Sequence, residues 1–330
     1  MNRALAVIVL VGSVAEALAG AQPQTRPSGP SWPPPPATAR IRFIRSLTPS
    51  AVRRPPSMLG RVWRALTGEH REDVMTQPYG IAVAPDGRVY VADTFARAVH
   101  IYDLQRNTHA RLTVDGESLI GVAVVGERVF VTDSAGPRLL CLERGRTRWS
   151  IGRDAGLLRP TGLVAAGDRL HVVDTLAHRV VTVSLDGRVL GGFGGPGRGA
   201  GEFNYPTHIA RGPDGRLYVT DTMNFRIQIF AADGRHLTTF GQLGDGSGDF
   251  NKPKGIALDS EGHVYVVEGL FDAVQIFDEA GRFLLTFGTS GAGDGEFWLP
   301  TGICIRDDRV YVADSANHRV QVFEYVKAAP

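Results

Sequence analysis

From residue 78 onward the chain repeats one acid-centred phrase six times, and this periodicity constrains the fold more tightly than any other property. The six copies are YVADTFARAVHIYD from Tyr90, FVTDSAGPRLLCLE from Phe130, HVVDTLAHRVVTVS from His171, YVTDTMNFRIQIFA from Tyr218, YVVEGLFDAVQIFD from Tyr265 and YVADSANHRVQVFE from Tyr311. Their acids, Asp93, Asp133, Asp174, Asp221, Glu268 and Asp314, recur every 40 to 47 residues. That period suits a four-stranded blade and exceeds that of a leucine-rich repeat.

Within each unit the same grammar returns: an apolar strand such as PYGIAV, a tight turn, a strand ending at the acid, a second turn and an alternating strand. Phe283 to Gly288, FLLTFG, reads as a fourth strand, because aromatic and β-branched residues at period two favour a pleat over a helix. Asp86-Gly87, Asp214-Gly215 and Asp233-Gly234 supply the positive φ that short hairpins need. The 40 glycines and 20 prolines belong to many short strands joined by such turns.

The PxGIAV, DGxxYVAD and NHRVQVF elements resemble the NHL-repeat family of bacterial exported proteins. The resemblance implies an all-β, six-bladed β-propeller with a central channel, spanning residues 40–326 and followed by a tail at 327–330. The sixth unit ends at Tyr325-Val326 without an outer strand of its own. RIRFIRSL, which opens the segment 40–48, carries the right alternation, so an N-terminal strand over residues 40–48 is expected to complete the last blade and close the ring.

Ahead of the ring, Arg3, the apolar run from Ala4 to Ala15 and Ala17-Leu18-Ala19 read as a signal peptide over residues 1–19, with an uncleaved anchor as the alternative. The mature chain is then periplasmic or secreted and carries no transmembrane span. Residues 20–39, with the WPPPP run, read as a proline-rich linker, and residues 57–67 as a short amphipathic helix. That helix packs on the disc or associates with the envelope through Trp63 and its flanking arginines. Cys141 and Cys304 lie in apolar strands about four repeats apart and read as buried hydrophobes, not as a disulfide. A formal net charge of +2, with arginines dispersed, offers no nucleic-acid footprint.

The recurring acid paired with an arginine five residues on, as in Asp174 and Arg179, reads as structural, since every blade needs it. Gly192, Gly194 and Gly197 fit GxGxxG but precede no helix, so they form a connector, not a dinucleotide site. Asp245, Asp249, Asp294 and Glu296 lack the spacing of a calcium loop.

Places where one blade departs from the others point to function. His208 replaces the glycine found at 80, 121, 162, 255 and 302, and the fifth blade carries Glu268-Gly269 with Leu270 and Phe271 at its turn. Tyr79, Tyr205, Phe225, Phe271 and Trp298, with Arg226, gather on the loops of one face as interface anchors. Partner-binding candidates are therefore Tyr79, Tyr205, His208, Phe225, Arg226, Glu268, Phe271 and Trp298. The expected function is a non-catalytic scaffold for a protein, peptide or envelope polymer, without cofactor. The resemblance adds an accessory role in an envelope redox system. The alternative is a metal-dependent lyase or lactonase-like enzyme, with His208 as the candidate ligand in the channel.

Overall fold

The computed structural model describes residues 29–52 and 74–327. The expected signal peptide and the helix at 57–67 lie outside the described residues. Six antiparallel sheets are arranged around a channel, five of them four-stranded. The first blade shows the pattern: Pro78–Val83 innermost, then Val89–Asp93, Ala98–Asp103 and, at the rim, Thr108–Thr113. Second strands such as VYVAD and LYVTD are buried along their length, and those that open with an arginine are buried from the next residue on, which is why each reads as an apolar run up to its terminal acid. Outer strands are largely exposed, and Phe283–Phe287 alternates half-buried and exposed residues up to the buried Phe287.

The last blade runs Pro300–Arg306, Arg309–Asp314 and Arg319–Tyr325, and Ile41–Leu47 supplies its fourth strand as expected. Ile41 pairs with Tyr325 and Leu47 with Val320, with a bulge between Phe43 and Arg45. Phe43 packs edge-on against Phe323, 5.7 Å between ring centres. The described part of the linker is not a free tether. Ser31–Trp32 adds a fifth strand to this blade, and the Trp32 indole sits 5.8 Å from Phe287 and 5.9 Å from Phe323.

Packing between blades repeats as well. The connectors from blades three, four and five drive Phe203, Phe250 and Phe297, all fully buried, down between adjacent sheets. Gly194, Gly241 and Gly288 make that possible. Each has φ near +90°, and a Cβ there would stand 2.3–2.4 Å from the phenylalanine ring. The acids of these connectors close the loops on themselves: Gly199, Gly246 and Gly293 donate N–H to Glu202, Asp249 and Glu296.

Candidate functional site

The six repeated acids are fully buried at the ends of the second strands. Each accepts backbone N–H from the incoming connector, and Asp93, Asp133 and Glu268 accept from their own turns as well, whereas Asp221 and Asp314 are completed by Asn224 and Asn317 side chains. Asp93 accepts from Thr76, Gln77 and Ala96, and Glu268 from Asn251, Lys252 and Leu270. Arg226 and Arg319 add ion pairs of 2.8 and 2.7 Å to Asp221 and Asp314. These carboxylates hold the loops of one face in place, the structural role expected from their repetition.

Beside them runs a ring of hydroxyls. Thr94, Ser134, Thr175, Thr222 and Ser315 each donate to the carbonyl that starts the next blade's inner strand, those of Leu119, Pro160, Pro206, Pro253 and Pro78. The fifth blade has Gly269 at this position. Lys254 replaces the hydroxyl: its Nζ donates to the Pro300 carbonyl at 3.3 Å, and its stem fills the space a Gly269 Cβ would need, 2.7 Å from Cε. Burial lowers the Lys254 ammonium to about 8.

At the centre the inner strands approach closely. A Cβ on Gly302 would fall 2.0 Å from the Tyr79 carbonyl, and one on Gly80 2.3 Å from that of Ile120. The channel cavity is accordingly small, about 60 Å³, and lined by glycines, aliphatic side chains and His208. Tyr79 of the first blade lies parallel to His208 of the fourth, diametrically opposite, with ring centres 5.8 Å apart and planes 4° apart. The two rings stopper the mouth. A chain of hydroxyls assigns the imidazole: Thr222 donates to Pro253, Thr207 to Thr222, and His208 Nδ1–H therefore to Thr207 at 3.0 Å. Nε2 is left as a bare acceptor, sealed from solvent with no partner. Desolvation first, and Lys254 second, hold this imidazole neutral by lowering it to about 3.

Above the stopper opens a bowl of about 360 Å³ formed by the first four blades. Its wall includes Tyr79, Arg159, Tyr205, Met223 and a belt of threonines, and no acidic side chain. Around it stand apolar side chains that water should not reach in a lone disc. Phe95 is 69% exposed, Trp298 55%, Leu270 55% and Met223 50%, with Leu176, Tyr205 and Leu299 beside them. The backbone holds several of them firmly. Tyr205 has φ +48° and its ring meets His178 edge-on at 4.7 Å; Trp298 and Leu299 donate N–H to Asp314 and Asp272.

Of the residues singled out in the sequence, Tyr79, Tyr205 and His208 come together at the mouth, and Trp298 and Phe271 lie on the surrounding face. Two are corrections. Glu268 is fully buried and its carboxylate is spent on backbone N–H groups, while Arg226 is spent on Asp221 and on the carbonyls of Arg198, Gly199 and Glu202. Neither is free for a partner. Phe225 sits half-buried in a left-handed turn, packed on the core between the fourth and fifth blades. Phe95, Arg159, Met223 and Lys254 escaped notice. A signal existed: the residue two places after each acid is Phe95, Ala135, Leu176, Met223, Leu270 or Ala316, apolar at a turn where the repeat exposes it.

Comparison with known proteins agrees with this architecture. An NHL-repeat family model matches residues 203–230 and 297–323. A second model, described as outer membrane protein assembly factor BamB, matches residues 60–192. Among solved structures, virginiamycin B lyase from Staphylococcus aureus is 16% identical, covers 77% of this chain and 97% of its own, and has a TM-score of 0.58. A gluconolactonase from Xanthomonas campestris is 20% identical over 77% of this chain and 88% of its own, TM-score 0.61. A calcium-binding regucalcin from Agrobacterium tumefaciens is 16% identical over 77% and 92%, TM-score 0.57. At such identities the likeness is one of fold.

Proposed function

We propose that this chain, a six-bladed β-propeller of the NHL-repeat family, is an exported docking protein that receives a protein or peptide on the face around its channel mouth. One observation carries the reading. Exposed apolar side chains from several blades share a face with an acid-free bowl lined by Tyr79, whose ring stacks on His208 at the channel. Aromatic and aliphatic anchors with an arginine among them are the composition of an interface core. The match to an outer membrane assembly factor over residues 60–192 supports an envelope setting, and among the described residues no helix is long and apolar enough to cross a membrane.

The competing reading is a metal-dependent lyase or lactonase, as the names of similar structures suggest. The channel lining offers it little support. His208 is joined there by glycines and aliphatic side chains, and among the described residues no group of three or more His, Cys, Asp or Glu is arranged to hold a metal ion. Metal analysis of the purified protein beside a His208→Ala variant separates the two: stoichiometric metal that the variant loses favours the enzyme.

For the docking reading, a photoreactive phenylalanine analogue is placed at Trp298 and, as control, at Leu284 on the outer strand. In the cells that make the protein, the first position is expected to yield one discrete covalent adduct and the second none. Equal labelling from both, or none from Trp298, would discard the docking face.

A further inference from the structure

Two donors in the bowl lack acceptors. Arg159 lies on its exposed wall, and its guanidinium has neither an ion pair nor a hydrogen bond among the described residues; only its backbone is engaged, N–H to Asp174 and carbonyl to Thr175. The half-buried Tyr79 hydroxyl likewise has no hydrogen-bond partner among the described residues; desolvation raises its pKa and the nearby Arg159 charge works against that rise. A half-buried phenol and an exposed guanidinium therefore face the same bowl, whose lining carries no acidic side chain to accept from either. The chemistry that satisfies both is a carboxylate, whose two oxygens accept from the planar guanidinium fork and from the phenol together.

We propose that the bowl binds a carboxylate through Arg159 and Tyr79, and that the carboxylate is the C-terminus of a polypeptide ending in an apolar side chain. This rests on the docking reading and deepens it. A polypeptide is favoured over a free small acid because the apolar crown of Phe95, Tyr205, Met223 and Trp298 extends beyond a bowl of about 360 Å³. The terminal carboxylate and last side chain occupy the bowl against Ile120 and Met223, and the preceding residues lie across the crown.

The test is a fluorescein-labelled octapeptide library presented with free C-termini and again as C-terminal amides, read by anisotropy, with phenylpropionate as the small-acid arm. Free acids ending in apolar residues are expected to bind, and their amides about tenfold or more weaker. Arg159→Gln should reproduce that loss for the acid and leave the amide unchanged, with Arg159→Lys recovering part of it. Tyr79→Phe should weaken the acid alone. No binding by any free acid, equal binding of acid and amide, or phenylpropionate binding as tightly as the peptides would overturn the proposal. If Trp298 still cross-links a partner while Arg159→Gln changes nothing, the carboxylate is wrong and the docking face stands.

Discussion

At the scale of single residues, the fifth blade's departure from the repeat is a compensated swap. Gly269 and Lys254 differ from their counterparts together, and the Lys254 ammonium makes the inter-blade hydrogen bond that a threonine or serine hydroxyl makes elsewhere. Gly269→Thr alone pushes its Cβ into the lysine stem, and Lys254→Thr alone leaves the Pro300 carbonyl without its donor. Each is expected to cost about 1–2 kcal/mol, and the double substitution markedly less than the sum, as chemical denaturation of the four proteins will show. Simple additivity would refute the swap.

His208 makes a second residue-scale prediction. Its imidazole falls from an ordinary 6.5 to about 3 on folding, so between those values the unfolded chain binds more protons than the folded one. Stability should therefore fall as pH drops through that window, by at most about 1.4 kcal/mol per pH unit from this group. His171, lowered to about 4, adds to the same trend. His208→Gln should flatten the acid limb of the melting-temperature profile; an unchanged slope would show that the imidazole is not held neutral.

At the scale of elements, ring closure was legible because the last repeat lacks a strand and residues 40–48 have the alternation to replace it. The Ser31–Trp32 strand was not: WPPPP has the composition of a linker, and only the tertiary setting of Phe287 and Phe323 gives the indole a place to pack. The glycine-rich connectors were recognisable as inter-blade loops, yet the buried phenylalanine within each was not, since a lone aromatic among glycines has no period to betray it. Two consequences follow for stability. Phe43→Ala, which opens the seam against Phe323, should cost about 3–5 kcal/mol. Deleting residues 29–39 should lower the melting temperature less than deleting 40–48, because the former removes an added edge and the latter the closure itself. A differential scan ranks them; the reverse order would contradict the closure.

At the scale of the whole molecule, the two faces of the disc differ in kind. The face of tight turns, such as those at Gly87, Gly215 and Gly234, carries short hairpins. The other carries the connectors, the acid-pinned turns, the stoppered channel and the apolar crown. The choice of face and the aromatics Tyr205 and Trp298 were readable from loop length and residue type. Which polar residues remained free was not: Glu268 and Arg226 look available in the sequence and are consumed by backbone groups and Asp221, whereas Arg159 looks ordinary and its guanidinium has no partner among the described residues. Satisfaction of a hydrogen-bonding group is a property of three-dimensional neighbours, and no spacing rule reports it. The measurement that bears most directly on the account is hydrogen–deuterium exchange of the protein alone and with its cross-linked partner. New protection is predicted at residues 204–206, 222–224 and 298–300 around the mouth and not at 86–88 or 233–235; protection centred on those tight turns or on the outer strands would contradict it.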